Sequence, residues 1–236
     1  MLNKELLDGT LKVLELEISD KVFEELDIYA QMLVEENNKI NLTAITDTDE
    51  MTVKHFADSL SILATTDIEQ GSSLVDVGTG AGFPGLVLKI ARPDLQVTFL
   101  DSTEKKLLFI SSVLEKLGLK GNVLHMRAEE AGHNKAYREK FDYVTARAVA
   151  PLAVLSEYCL PLLKVGGSFI SMKSANAEEE IRDAELGIEI LGGSIDDICE
   201  FRLADKYKRN NILISKIEST PNKYPRNAAQ IKKKHI

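Results

Sequence analysis

The chain has 236 residues, of which 44% are hydrophobic and 28% charged, and its formal net charge is −8. The composition is typical of an ordinary soluble globular protein, and the length suits one large α/β domain with an appendage. No uncharged apolar run approaches the ~18 residues of a membrane span, so we expect no membrane partner.

Neither the start of the chain nor its cysteines indicate secretion. The first eight residues carry Lys4, Glu5 and Asp8 and no apolar h-region, so we expect no signal peptide. Cys159 and Cys199 form no CxxC pattern and the four histidines are scattered, so we expect neither a metal site nor a disulfide framework. A reduced, cytoplasmic setting fits this pattern.

Helices are predicted for residues 1–65, which we treat as an N-terminal helical extension. Ser19 or Asp20 can cap a helix that runs to about Asn38, because apolar residues follow at spacings of three and four. Another helix is predicted over residues 50–64.

From residue 73 onward, strands and helices alternate. Strands are predicted over 73–78, 96–102, 122–129, 141–149 and 168–174, and helices over 84–91, 104–117, 151–163 and 177–191. Two last strands, 198–204 and 211–219, form a hairpin. This order predicts a doubly wound, Rossmann-like α/β sheet of seven strands with one antiparallel strand. We assign residues 66–220 to this domain and 221–236 to a basic tail.

Charge is distributed unevenly along the chain. Residues 200–236 hold ten Lys or Arg and three Asp or Glu, whereas residues 1–199 hold 19 and 34. The basic end is where a polyanion such as a nucleic acid could dock. A solvated, frayed tail ending in three lysines explains the same charge equally well, so charge alone leaves both alternatives open.

The connection after the first strand belongs to the stretch SLVDVGTGAGFPGL, residues 73–86. A P-loop requires Lys-Ser or Lys-Thr after its glycines, and none follows here, so hydrolysis of ATP or GTP is not expected. The dinucleotide pattern G-x-G-x-x-G fits only from Gly80, late relative to the strand end. From Gly78, its third glycine position holds Phe83. A plain turn without a ligand is disfavoured, because four glycines cost backbone entropy that such a turn does not require.

Acidic residues distinguish between the remaining cofactors. Asp101, at the end of the second strand, is placed to bind both hydroxyls of an adenosine ribose, as in NAD and S-adenosylmethionine sites. Asp76 would repel a pyrophosphate but attract the ammonium group of a methionine moiety, directly or through water. Ala128 and Glu129 are placed near the adenine ring, although Glu129 could equally complement a helix dipole. The acid-x-Gly-x-Gly-x-Gly pattern resembles motif I of class I S-adenosylmethionine-dependent methyltransferases, whose sheets also end in a reversed strand.

The residues after the fourth strand bear on the methyl acceptor. Enzymes acting on exocyclic amines of adenine usually carry Asn/Asp-Pro-Pro-Tyr/Phe there, whereas this chain has ARAVAPL over 146–152. Methylation of pyrimidine C5 uses a cysteine nucleophile, but Cys159 lies within a predicted helix and is better explained by packing. An acceptor that is already nucleophilic fits better. Guanine N7 carries a lone pair and no proton, so it needs alignment rather than a general base.

Longer stretches of the chain resemble the GidB family of bacterial ribosomal RNA methyltransferases. The matching stretches occur in the family's order, and they are NNKINLTAIT (37–46), KHFADSL (54–60), LVDVGTGAGFPGL (74–86), LDSTEKKLLFI (100–110), MRAEE (126–130), ARAVAPL (146–152), EYCLPLLKVGGSF (157–169) and KYPR (223–226). The family's usual ending continues from Tyr-Pro-Arg to a glycine and a second proline. This chain keeps neither, so the resemblance makes no prediction for the end of the tail.

This resemblance implies methyl transfer from S-adenosylmethionine to N7 of a guanine in small-subunit (16S) ribosomal RNA, free or in a ribosomal particle. The implied cofactor contacts are Gly78, Phe83, Asp101, Ala128, Glu129 and Arg147, to which the glycine loop itself adds Asp76 and Gly80, and the strand end adds Ser102. We expect the protein to be a monomer.

Two residues, Arg147 and Asn41, are predicted to position the reactants without acting as a general base. Arg147 could bind the cofactor carboxylate, the guanine or a phosphate, or it could pair with Asp76 or Glu129. Asn41 and the His55-Phe56 pair could form a lid over the cofactor or contact the base, or serve as a turn and as core packing.

Two other functions remain open from the sequence. One is a methyltransferase of the same fold that acts on a protein or a small molecule. The other is a non-catalytic RNA-binding assembly factor with a vestigial cofactor loop. The intact set of Asp76, Gly78, Gly80 and Asp101 argues against the second.

Overall fold

The computed structural model, which describes residues 1–174 and 177–236, contains a seven-stranded sheet. Its strands are β1 (Ser73–Val77), β2 (Gln96–Asp101), β3 (Asn122–His125), β4 (Phe141–Arg147), β5 (Leu163–Lys173), β6 (Gly193–Leu203) and β7 (Tyr207–Lys216). Their spatial order is β3-β2-β1-β4-β5-β7-β6. Neighbours among β1 to β5 pair in parallel, whereas β7 runs antiparallel to β5 and β6. The predicted α/β sheet with one antiparallel strand is confirmed.

Helices precede the sheet and connect its strands. They are α1 (Lys4–Val13), α2 (Asp20–Ile40), α3 (Thr48–Met51), α4 (Asp58–Thr65), α5 (Gly85–Ala91), α6 (Glu104–Leu117), α7 (Ala128–His133), α8 (Leu152–Cys159), α9 (Ala177–Ile190) and α10 (Ala228–Lys233). A π-helical stretch, Thr52–Ala57, joins α3 to α4. Ser19 caps α2 as predicted, since its hydroxyl accepts the amide of Val22 at 3.3 Å.

Two hydrophobic clusters cover the two faces of the sheet. Side chains of α1, α2, α4, α5 and α6 form the first, and those of α7, α8 and α9 form the second. Along β1 the side chains alternate, so Leu74 joins the first cluster while Val75 and Val77 join the second. The N-terminal helices therefore share a core with the sheet. The division into extension, domain and tail stays a prediction.

Several element boundaries differ from the predicted ones. β3 ends at His125 rather than at residue 129, because α7 begins at Ala128. β5 begins at Leu163, which pairs with Phe141, and β6 begins at Gly193, which pairs with Lys216. Both strands therefore start earlier than the local apolar pattern indicates, because pairing with a neighbouring strand extends them.

The order of the strands creates a crevice at one edge of the sheet. β1 lies between β2 and β4, so the chain continues outward from β1 in one direction through β2 and β3 and returns on the other side with β4. In open α/β sheets, ligands bind at the carboxyl ends of the strands at such a switch point. Among the described residues, no helix is long and apolar enough to cross a membrane.

Candidate active site

A cavity of about 960 Å³ lies at the carboxyl ends of β1, β2 and β4. This volume is within the usual range for sites that enclose a small ligand. Its walls contain most of the residues predicted for the site, namely Gly78, Gly80, Phe83, Asp101, Ser102, Ala128, Glu129 and Arg147. Asp76 and Asn41 are not part of these walls.

The glycine loop approaches the cavity with its backbone. Gly78 has a φ of +67°, and a Cβ atom there would come within 2.7 Å of a Val149 methyl group. The amides of Gly78 and Thr79 donate to the carbonyl of Leu100 at 2.8 and 3.1 Å, which ties the loop to the end of β2. Glycine is required at this position because the conformation is left-handed and the neighbouring side chain is close.

Asp101 connects the loop to β2. Its Oδ2 accepts the Gly80 amide at 3.0 Å, and its Oδ1 accepts the Thr103 amide at 2.8 Å. The residue is only 8% exposed and still lines the cavity. An ionised carboxylate has about four acceptor sites, and the backbone amides use two of them. Asp101 therefore keeps acceptor capacity on its cavity side.

Asp76 lies beneath the loop and is not part of the cavity wall. Its fully buried carboxylate accepts the Thr79 hydroxyl at 2.6 Å, the Gly85 amide at 3.0 Å and the Thr145 hydroxyl at 3.0 Å. Burial raises the pKa of this carboxyl, and the three hydrogen bonds oppose that rise. Asp76 therefore anchors α5 and the loop to β4. Its contact with the ammonium group of a methionine moiety, directly or through water, stays a prediction.

Ala128 and Glu129 occupy the far wall of the cavity, at the start of α7. Glu129 is in the first turn of this helix and accepts from Arg127 Nε at 2.5 Å. Its position fits both of its predicted roles, because the first turn of α7 also forms part of the cavity wall.

On the opposite side, Arg147 at the end of β4 is held by three acceptors. Its Nη1 donates to Asp58 Oδ2 and to the Lys54 carbonyl, both at 3.0 Å, and its Nη2 donates to His55 Nδ1 at 3.2 Å. Asp58 is 5% exposed and also accepts from Arg209 Nε at 3.0 Å. The predicted alternative partners of Arg147, Asp76 and Glu129, are thus corrected to Asp58, a residue 89 positions away in the sequence.

His55 forms the next part of this wall. Its ring stacks on Phe83 with the ring centroids 4.5 Å apart, and its Nε2 lies 2.7 Å from the Thr43 hydroxyl. Burial, with the nearby charge of Arg147, lowers the pKa of His55 to about 3. The imidazole is therefore neutral at physiological pH. The guanidinium of Arg147 also lies 4.9 Å from the centre of the Phe83 ring.

The proposed lid is only partly supported by the structure. His55 lines the cavity, whereas Phe56 is fully buried and packs edge-on against Phe83. Asn41 is exposed and ends α2 with a left-handed φ of 47°, so it serves the turn. The two residues that follow it, Leu42 and Thr43, reach the cavity instead.

The C-terminal tail also contributes to the cavity, a position that the sequence did not predict. Glu157, with no exposed surface, accepts from Arg226 Nη2 at 2.6 Å and from its Nε at 2.9 Å. Asn227 then caps α10 by accepting the amide of Gln230 at 3.0 Å. Ile231, Lys232 and His235 line the cavity. The Tyr-Pro-Arg motif was the available signal, because it supplies the arginine that fixes the tail.

Cys159 lies in the core beneath this site. The residue has no exposed surface, and burial raises the pKa of its thiol well above the usual value. It packs within the second hydrophobic cluster. Its predicted role in packing therefore agrees with its position.

Comparison with known proteins identifies relatives along the whole chain. A family model described as GidB, rRNA small subunit methyltransferase G, matches residues 22–206. A protein of Lactobacillus delbrueckii subsp. bulgaricus named ribosomal RNA small subunit methyltransferase G is 47% identical over 239 residues, which is 100% of both chains. A protein of the same name from Listeria monocytogenes serotype 4b is 47% identical and covers 95% of each chain.

Solved structures show the same fold at low sequence identity. A SAM-dependent methyltransferase from Aquifex aeolicus is 21% identical, with a TM-score of 0.52 over 77% of this chain and 97% of that chain. A putative RNA methyltransferase from Pyrococcus horikoshii is 14% identical, with a TM-score of 0.56 over 85% of this chain and 100% of that chain. This likeness concerns the architecture of the sheet and its helices.

Proposed function

The chain belongs to the GidB family, described as rRNA small subunit methyltransferase G, and we propose that it transfers a methyl group from S-adenosylmethionine to N7 of a guanine in small-subunit (16S) ribosomal RNA. The observation that carries the proposal is the single cavity in which the glycine loop, Asp101 and Arg147 face the same space. The first two suit an adenosyl cofactor, and the third lies where a second reactant can enter.

The residues present fit S-adenosylmethionine. Gly78 lines the cavity with backbone and no side chain, and Asp101 keeps acceptor capacity that suits ribose hydroxyls. Ala128 and Glu129 would lie on the adenine side, since they follow β3, the strand next to β2. The cofactor supplies an electrophilic methyl group on a sulfonium. The protein's part is to bind both reactants, align them and exclude water.

The β4 side of the cavity supports an acceptor that has no proton to lose. Arg147 is a permanent cation, and its guanidinium is already bonded to Asp58 and His55. Both ring nitrogens of His55 are engaged, one with Arg147 and one with Thr43. Neither side chain is free to remove a proton from the acceptor. Guanine N7 needs no such base, which favours it over an exocyclic amine.

The family relationship and the charge of the tail support RNA as the substrate. The relatives are named as enzymes of small-subunit ribosomal RNA. Lys232 and His235, in the basic tail, lie on the cavity wall, where a phosphate backbone would gain favourable electrostatic interactions. A protein or small-molecule acceptor has no comparable support in these features.

The test is a methyl-transfer assay with S-adenosylmethionine labelled at the methyl group. Naked small-subunit RNA and assembled small subunits from cells that lack this enzyme are compared as substrates, and release of S-adenosylhomocysteine is measured in parallel. We expect labelled RNA with at least one of them. Tight binding of S-adenosylhomocysteine without methyl transfer to either RNA form would overturn the enzymatic proposal and leave the assembly-factor alternative.

A further inference from the structure

A chain of hydrogen bonds on the β4 side of the cavity ends at the hydroxyl of Thr43. Arg147 Nη2 lies 3.2 Å from His55 Nδ1, and His55 Nε2 lies 2.7 Å from Thr43 Oγ1. Thr43 lines the cavity beside His55. These residues come from β4, the π-helical stretch and the segment after α2, so the chain of bonds is set by the tertiary fold.

The direction of each bond follows from the chemistry of the groups. A guanidinium can only donate, so His55 Nδ1 accepts and carries no proton. A neutral imidazole has one N–H, which is therefore on Nε2. This is consistent with the lowered pKa of His55, which keeps the ring neutral. His55 Nε2–H then donates to Thr43 Oγ1.

Thr43 Oγ1 also accepts the backbone amide of Ile45, at 3.0 Å. A hydroxyl oxygen has two acceptor positions and one proton. Both acceptor positions are filled by protein groups, so what Thr43 retains is the ability to donate. Among the described residues, His55 and Ile45 are the hydrogen-bond partners of this hydroxyl. Its proton is left for a group in the cavity.

The base edge next to N7 differs between the two purines. Guanine presents O6, an acceptor, whereas adenine presents the N6 amino group, a donor. A hydroxyl that can only donate bonds the first and opposes the second. Since a free hydroxyl can rotate to serve either base, the selectivity depends on the two bonds that fill its acceptor positions.

We propose that the Thr43 hydroxyl donates a hydrogen bond to O6 of the target guanine and makes the site select guanine over adenine. The inference rests on the proposed function and names a specificity-determining residue for it. Thr43 lies on the β4 side, away from Asp101 and Ala128 on the β2 and β3 side, so it is placed toward the acceptor rather than toward the adenosine.

The test combines a change in the protein with a change in the base. Thr43→Val removes the hydroxyl and keeps the shape, and Thr43→Ser is the matched control that keeps the hydroxyl. The substrates are small-subunit RNAs assembled by ligation with either guanosine or 2-aminopurine riboside at the mapped target position. 2-Aminopurine keeps N7 and lacks O6. The readouts are kcat/KM for methyl transfer and Kd for S-adenosylhomocysteine.

We expect Thr43→Val to lower kcat/KM for the guanosine RNA about tenfold, the size of one lost hydrogen bond. Its kcat/KM for the 2-aminopurine RNA should fall about tenfold less than that for the guanosine RNA, and Thr43→Ser should restore most of the guanosine rate. Kd for S-adenosylhomocysteine should not change. A fold defect would lower kcat/KM for both RNAs by the same factor. The ratio of the two kcat/KM values therefore isolates the contact with O6.

Three outcomes would overturn the inference. They are an equal loss on both RNAs, a weakened Kd for the cofactor product that accounts for the loss, and ¹⁵N NMR showing the His55 proton on Nδ1. Each of these leaves the proposed function standing, because the wild type still methylates the guanosine RNA. Failure of the wild type on that RNA would instead refute the proposed function.

Discussion

The two sides of the cavity are built in different ways. On the loop side, formed by Gly78, Gly80 and Asp101, backbone amides and one carboxylate set the shape. On the arginine side, Thr43, His55 and Arg147 line the cavity. Partly buried hydrogen bonds connect them to one another and to Asp58 and Arg209, which are outside the cavity wall. Phe83 belongs to the glycine loop, and its ring packs against His55 and Arg147. It therefore connects the loop side with the arginine side.

We infer separate tasks for the two sides from this difference. A backbone surface with a carboxylate acceptor binds a ligand of fixed shape, such as an adenosyl cofactor. A side-chain network with oriented donors aligns and selects a second reactant. Changes on the loop side should therefore appear in cofactor affinity, and changes on the arginine side in turnover.

The largest expected effect is that of Asp101→Ala on cofactor binding. Loss of charge-assisted bonds to the two ribose hydroxyls, at about 2 kcal/mol each, should raise Kd for S-adenosylhomocysteine roughly 1,000-fold. Titration calorimetry measures it. Asp94→Ala is the matched control, since Asp94 also accepts a backbone amide, that of Gly71 at 3.0 Å, and lies outside the cavity wall. An unchanged Kd in a folded Asp101→Ala protein would show that β2 does not hold the ribose.

Arg147→Lys should lower kcat about 100-fold, because a lysine cannot hold Asp58, the Lys54 carbonyl and His55 together, and small misplacements at a reacting centre cost about that much. The control is Arg209→Lys, which changes the other guanidinium on Asp58 without touching the cavity wall. Kd for S-adenosylhomocysteine should change far less than kcat. Equal losses in both variants would mean that Arg147 only neutralises Asp58.

His55 should make the stability of the protein depend on pH. Its pKa is 6.5 when unfolded and about 3 in the folded chain, so between these values only the unfolded chain binds the proton. The contribution of His55 to the free energy of unfolding is therefore fully present above about pH 6.5, and it decreases as the pH is lowered. At pH 5 the loss is about 2 kcal/mol.

His55→Gln should abolish that part of the pH dependence. Urea unfolding at pH 8 gives the difference in the free energy of unfolding between wild type and variant, which is the cost of the lost packing. At pH 5 this difference should be smaller by about 2 kcal/mol, because only the wild type loses stability as the pH falls. A difference that stays constant with pH would indicate that the pKa of His55 is the same in the folded and the unfolded chain.

Gly78→Ala should give the smallest effect, about a tenfold loss of cofactor affinity. The new methyl group would meet Val149 at 2.7 Å and enter the cavity wall. Gly118→Ala is a close control, because Gly118 has a similar φ of +64° with no atom within 4 Å of the added Cβ. Both variants bear the cost of a left-handed alanine, about 1–2 kcal/mol. If both bind the cofactor equally well, close approach at Gly78 is not needed.

The same comparison explains what the sequence could and could not predict. The loop side can be predicted from the sequence because Gly78, Gly80 and Asp101 lie within one β-α-β unit. In such a unit, spacing along the chain fixes position in space. Thr43 and Asp58 carry no such spacing relative to Arg147, and the fold alone brings them together. The spacing of the motif places Asp76 near the loop, but it does not show that the carboxylate points toward Thr79, Gly85 and Thr145.

The tail and the strand ends show a second limit. α10 follows Arg226, which pairs with the buried Glu157 69 positions away in the sequence. β5 and β6 extend beyond their apolar runs because partner strands supply hydrogen bonds. The local pattern of apolar and polar residues indicates helix or strand propensity, whereas these features depend on partners distant in the chain.

The most direct test of the central claim identifies the methylated atom. Small-subunit RNA, naked and assembled, is incubated with the protein and S-adenosylmethionine, digested to nucleosides and analysed by mass spectrometry against standards of the isomeric methylguanosines. We predict 7-methylguanosine at a defined position in the RNA. Methylation at another atom of guanine, or at another base, would contradict the assignment of the arginine side as a site for guanine N7.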